Sequence, residues 1–118
     1  MNTIATLVQN VSDLDAATTL WRALLGTEPH TTTPYYVGFA VPIGEGAGLE
    51  IGLAPAGPDG PTAPVPFAAV DDIEAALAAL TAAGARPKQA PTEVGGGTTI
   101  ATVTDQDGAT LGLIHRAG

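Results

Sequence analysis

A repeat of about 59 residues runs through this chain of 118 and restricts its fold more than any other feature. Val11-Ser12-Asp13-Leu14-Asp15-Ala16-Ala17 recurs as Val70-Asp71-Asp72-Ile73-Glu74-Ala75-Ala76, 59 residues later. Leu25-Gly26-Thr27-Glu28-Pro29 recurs as Ala83-Gly84-Ala85-Arg86-Pro87, with 58 residues from Gly26 to Gly84. Two landmarks held at almost one interval predict two copies of one supersecondary unit. The length leaves room for one domain. The copies are therefore read as modules of it: module one about 1–54, a linker about 55–64, and module two about 65–118.

Both modules share one grammar. A short apolar strand (Thr3 to Val11; Val65 to Val70) runs into a helix start, with Ser12 or Asp71 as N-cap and acids in the first turn. Leu14, Ala17, Trp21, Leu24 and Leu25 then fall on one helical stripe, as do Ile73, Ala76, Leu77, Leu80 and Ala83. Gly26 and Gly84 stop the helices, each with a proline three residues on. Strands are expected at Tyr35 to Val41 and Leu49 to Leu53, around a Gly-rich turn at 44–48. In module two they are expected at Thr98 to Thr104 and Thr110 to Ile114, around Asp105-Gln106-Asp107-Gly108. The Pro/Gly-rich stretch from Ala54 to Pro64 suits neither helix nor central strand.

Composition narrows the function. Four Lys and Arg against 12 Asp and Glu give a formal charge of −8, which excludes a sequence-independent grip on nucleic acid. The absence of cysteine removes disulfides, zinc ribbons and thiol nucleophiles. Ser12 is the only serine and reads as a helix cap, and Lys88 is the only lysine. No stretch approaches the roughly 18 apolar residues of a membrane span, and the start lacks a signal peptide's basic and apolar regions. A cytoplasmic protein is expected.

The segments Val11-Ser-Asp-Leu-Asp-Ala-Ala17 and Leu20-Trp-Arg-Ala-Leu-Leu-Gly26 carry a family resemblance. So do Phe67 to Ala76, Gly96-Gly97-Thr98-Thr99, and Asp105-Gln-Asp-Gly108 followed by an apolar strand. The chain resembles the vicinal oxygen chelate superfamily, which includes glyoxalase I, bleomycin-resistance proteins and extradiol dioxygenases. The resemblance implies an α+β fold: two βαβββ modules forming a cupped eight-stranded mixed sheet with helices outside. It also implies a homodimer, because this family often completes its cup across two chains. Unrelated chemistries use this fold, so function is argued at the site.

Metal-using members hold one divalent ion with four strand residues, usually His or Glu. The family pattern places these positions at Thr6, Glu50, Val65 and Gly112. Only Glu50 carries an effective ligand. No one-residue slip supplies another, and His115 falls on the opposite face from Gly112 by strand alternation. No metal and no cofactor are expected.

Alternation from those positions gives the cup lining: Thr6, Val8, Asn10, Glu50, Gly52, Val65, Phe67, Ile100, Thr102 and Gly112. Tyr35 and Tyr36 adjoin in an expected strand and point to opposite faces, so one of them, taken as Tyr36, can stack on a planar ligand. The lining is small and apolar with a few polar groups, as small-molecule cavities are, and its glycines leave room. The leading expectation is a metal-free small-molecule-binding protein, with sequestration of an antibiotic or other hydrophobic compound as one use. The alternative is a cofactorless isomerase, lyase or cyclase with Glu50 as general base. A metal-dependent glyoxalase-type lyase or dioxygenase ranks last. His30, in a loop of threonines, is read as plain loop.

Overall fold

The computed structural model describes residues 2–43 and 48–117. Apart from Gly48, the expected Gly-rich turn at 44–48 lies outside the described residues. The fold is α+β, and the described residues form two helices and eight strands in mixed sheet. In chain order these are β1 (Thr3–Val11), α1 (Leu14–Leu25), β2 (Thr31–Thr32), β3 (Val37–Val41), β4 (Leu49–Pro55), β5 (Val65–Ala69), α2 (Ile73–Ala82), β6 (Arg86–Gly95), β7 (Thr98–Thr104) and β8 (Thr110–Arg116). The chain divides into two compact units, one formed by Thr6–Val65 and the other by Met1–Ala5 with Pro66–Gly118.

In the first unit the strand order is β2-β3-β4-β1. β1 runs parallel to β4, while β3 is antiparallel to β4 and β2 to β3. Val11, Val37, Phe39, Ile51 and Leu53 are buried and receive Leu7, Leu14, Ala17, Trp21 and Leu25. Burial of side chains this size is worth about 1.5–3 kcal/mol each. The face turned from α1 therefore carries the alternate residues Thr6, Val8, Asn10, Glu50 and Gly52. The helical stripe is narrower than expected, for Leu24 is 73% exposed. Thr18 takes its place, buried and donating its hydroxyl to the Leu14 carbonyl at 2.7 Å.

The second unit repeats the plan as β5-β8-β7-β6. β5 is parallel to β8, and β7 is antiparallel to both β8 and β6. Val70, Ile73, Ala101 and Leu113 are buried with Ala76, Leu77 and Leu80 against them. Ile100, Thr102 and Gly112 alternate onto the other face.

Four sequence expectations change. The N-caps are Asp13 and Asp72, not Ser12 and Asp71: each aspartate sits in extended backbone and accepts the amide three residues on, Ala16 and Ala75, at 3.0 Å. A carboxylate at that position also meets the positive end of the helix dipole. The first helix ends at Gly26 in the left-handed conformation, whereas the second is capped by Ala83 with Gly84 following at φ 110°. β3 starts at Val37, so Tyr35 and Tyr36 lie in the preceding turn. β6 is the third strand that a βαβββ module two requires, but it had no readable position in the sequence, because Pro87 and Pro91 interrupt it and its ten residues are all exposed. An outermost strand tolerates proline where a central one does not.

Candidate functional site

The first unit brings two side chains from separate segments to one carboxylate. Glu50 stands on β4, in register with Thr6 of the parallel β1. Thr6 is buried and donates its hydroxyl to the Glu50 carbonyl at 2.9 Å, so its hydrogen is spent on fixing the strand pair. The Glu50 carboxylate accepts from the Tyr36 hydroxyl on Oε2 and meets His30 Nε2 at 3.0 Å on Oε1. An ionised carboxylate can only accept, so Nε2 carries a proton. On its other side, Nδ1 is hydrogen-bonded to the Thr31 hydroxyl, 2.7 Å away. The His30 side chain is 43% exposed and that of Glu50 27%, so the cluster is built yet open to solvent.

Local sequence explains why Tyr36 arrives there. Thr33 Oγ1 accepts from the amides of Tyr35 and Tyr36, at 3.1 and 2.9 Å, and the Thr33 amide donates to the Tyr36 carbonyl at 2.9 Å. That turn lays the Tyr36 ring across Gly52, where an added Cβ would fall 2.7 Å from Cε1, and beside Gly38, 3.0 Å from Cε2. The His30 amide donates to the Gly38 carbonyl at 2.9 Å, which seats the imidazole at the other side of the same glycine.

In the second unit, Phe67 is buried and its ring lies over Gly112, with a Cβ there falling 2.6 Å from Cε2. Thr102 pairs with Gly112 and Ile100 with Ile114 on β7 and β8. Val65 opens β5 and is half-buried. The expectation that the glycines leave room is thus corrected: aromatic rings occupy the space above Gly52 and Gly112. A shallow depression of about 430 Å³ does exist in the second unit, lined by Asn2, Thr3, Ala69, Val70, Asp71, Ile114, His115 and Arg116. It contains none of the expected site residues.

The structure brings Thr6, Tyr36, Glu50 and Gly52 into direct contact, with Val8 and Asn10 on the same strand face. Asn10 joins the linker through its backbone, donating to Thr62 Oγ1 at 3.2 Å and accepting from the Thr62 amide at 2.9 Å. His30 and Thr31 are additions that the sequence reading missed. The only available signal was the position of His30 directly after the repeated proline, and a loop histidine at such a place has no periodicity to reveal its direction.

The four positions at which the resemblance implies a metal hold Thr6, Glu50, Val65 and Gly112. That donor set does not fit a divalent ion: one carboxylate is present, already engaged by Tyr36 and His30, and the Thr6 hydroxyl is committed to a carbonyl.

A family model described as the Glyoxalase/Bleomycin resistance protein/Dioxygenase superfamily matches residues 3–113. Among solved structures, one titled as an NAD-dependent benzaldehyde dehydrogenase from Legionella pneumophila aligns with TM-score 0.74 at 17% identity, covering 95% of this chain and 98% of that one. A Streptomyces coelicolor methylmalonyl-CoA epimerase variant in complex with 2-nitronate-propionyl-CoA gives TM-score 0.72 at 19% identity, over 100% and 96%. The Mycobacterium tuberculosis methylmalonyl-CoA epimerase gives 0.65 at 16%, over 98% and 88%. No curated protein sequence matches the chain. At these identities the likeness shows the fold.

Proposed function

The chain belongs to the glyoxalase/bleomycin resistance protein/dioxygenase superfamily, and on that premise we propose that it binds a small organic molecule without a metal, using Glu50 as the polar anchor. The observation that carries this reading is the Glu50 carboxylate held by both His30 and Tyr36 while still reachable from solvent. Each oxygen keeps acceptor capacity beyond the bond it already makes. Such a group suits a ligand that offers an N–H donor or a positive charge, and a chain of formal charge −8 attracts one. Tyr36 supplies an adjacent flat ring. Sequestration of an antibiotic or other hydrophobic compound is one use of this arrangement, in a cytoplasmic homodimer.

Native mass spectrometry of the purified protein, with elemental analysis of the same sample, tests this. The expected result is a metal-free species retaining an organic molecule that Glu50→Gln fails to retain. Stoichiometric metal, or equal retention by wild type and E50Q, overturns it.

A second reading rests on the His30–Glu50 pair itself. Glu50 can take a proton from a carbon acid as general base, with His30 and Thr31 hydrogen-bonded behind it to orient the carboxylate. The neighbours titled as methylmalonyl-CoA epimerases carry out isomerisation on this fold, which makes a proton-transfer reaction chemically compatible with it. Incubation of the retained molecule in deuterated water separates the readings. An isomerase incorporates deuterium at carbon and loses this in E50Q, whereas a binding protein leaves the carbon unlabelled.

A further inference from the structure

The repeat extends beyond the helices, to side chains that face away from them. Glu50-Ile51-Gly52-Leu53 of β4 matches Thr110-Leu111-Gly112-Leu113 of β8, 60 residues later, and both glycines lie beneath an aromatic ring. Pro29-His30 matches Pro87-Lys88, 58 residues later. In the first unit the residue after the proline reaches the first matched position of the strand, His30 to Glu50. In the second unit the corresponding residues do the same: Lys88 Nζ donates to Thr110 Oγ1 at 3.0 Å. The module-two counterpart of Glu50 is therefore Thr110, and the charge has changed sign, from a carboxylate with an imidazole to a hydroxyl with an ammonium.

Lys88 is aimed there by the backbone. The register of β6 against β7 shifts between Pro87, opposite Val103, and Gln89, opposite Thr102, which leaves Lys88 as the extra residue. Irregularities of this kind redirect a side chain and are enriched beside functional sites. Its ammonium passes β7 to reach β8, the strand beyond. Among the described residues the ion pairs join Arg22 to Glu28 and His30 to Glu50, so the only lysine of a chain with 12 acids holds a hydroxyl and no carboxylate.

We infer that Lys88 and Thr110 form an oxyanion-binding subsite on the second unit, for a carboxylate or phosphate group of a small molecule. The ammonium has two N–H groups beyond the one given to Thr110, and the threonine, accepting on Oγ1, keeps its own O–H to donate. Up to three donors and one positive charge are then available to a single oxyanion, with the Phe67 ring over Gly112 two residues along β8. The inference stands on the second unit alone and does not depend on the role of Glu50.

The test is a 1H–15N NMR titration of the full chain at constant ionic strength, with acetate in one arm and inorganic phosphate in the other. Saturable shifts are expected at the Lys88, Gln89, Thr110 and Leu111 amides. Loss of a charge-assisted hydrogen bond should weaken binding about 10- to 100-fold in Lys88→Gln and about three- to tenfold in Thr110→Val, while Lys88→Arg retains it. Saturation by acetate alone assigns a carboxylate, by phosphate alone a phosphate, and by both a general oxyanion site. No saturation in either arm overturns the inference, as do equal affinities in wild type and K88Q. Unchanged amide shifts elsewhere verify that each variant is folded. Glu50→Gln leaves the titration unaltered, which separates this result from the first unit's ligand.

Discussion

His30 Nε2 and Glu50 Oε1 stand 3.0 Å apart across 20 residues of chain, one from a loop and the other from a strand. The pairing is made by Gly38. Its carbonyl accepts the His30 amide, and its missing side chain leaves room for the imidazole on one flank and the Tyr36 ring on the other. A carboxylate that would otherwise be a lone charge on an apolar strand thus becomes the centre of a four-residue network with Thr31 at its far end.

Removing one donor from that network should cost little stability and more binding. Tyr36→Phe keeps the ring over Gly52 and deletes only the hydroxyl, so the expected loss in urea denaturation is about 0.5–1.5 kcal/mol. Retention of the organic ligand in native mass spectrometry should fall further, because the freed carboxylate oxygen hydrates. Full ligand retention in Y36F would remove Tyr36 from the anchor.

Thr31 supports the tautomer of His30 that Glu50 selects. With Nε2 donating to the carboxylate, a neutral ring has Nδ1 left to accept from the Thr31 hydroxyl. Thr31→Val should admit the other tautomer, read directly from the 15N shifts of the imidazole, and Thr31→Ser should restore the original pattern. Identical ring shifts in wild type and T31V would show that Glu50 alone orients His30.

The helix caps give a sharp discrimination between two neighbouring residues. Asp13 and Asp72 accept the amides of Ala16 and Ala75, whereas Ser12 and Asp71 are exposed residues one step outside. Asp13→Ala and Asp72→Ala should each lower stability by about 1 kcal/mol. Ser12→Ala should change it by no more than a few tenths, within the range of ordinary surface substitutions. Thermal or urea unfolding checks all three.

The sequence carried the architecture because repetition and helical spacing are properties of residue order. β7 runs from Thr98 to Thr104 as alternation indicates, and Trp21 packs on the first core. β6 escaped because an exposed outermost strand has no apolar alternation to read. The site was half legible. The family resemblance marked Thr6 and Glu50, the latter a charge in an apolar strand, and strand alternation added Gly52. His30 and Lys88 were not legible, since each depends on a loop or a strand irregularity that turns one side chain towards a distant strand. The glycines misled for a related reason: a missing Cβ shows that something comes close, and here the visitor is a ring of the same chain.

That last relationship allows a quantitative test. Phe67 lies on Gly112 so closely that a methyl group there would overlap Cε2 and Cγ, at 2.6 and 2.7 Å. Gly112→Ala should therefore displace the ring and cost about 1–3 kcal/mol by overpacking. Phe67→Ala alone should cost about 3–5 kcal/mol, the usual range for a buried phenylalanine. The two effects should not add. With the ring gone, the three atoms nearest the methyl group are removed, and alanine in a strand is better than glycine by roughly 0.5–1 kcal/mol. The double variant should then be at least as stable as F67A, giving a coupling of about 1.5–4 kcal/mol, against about 0.5–3 kcal/mol for touching residues in general. Urea unfolding of the four proteins measures it. Additive losses would mean that Gly112 is required by the backbone of β8 and not by the ring above it.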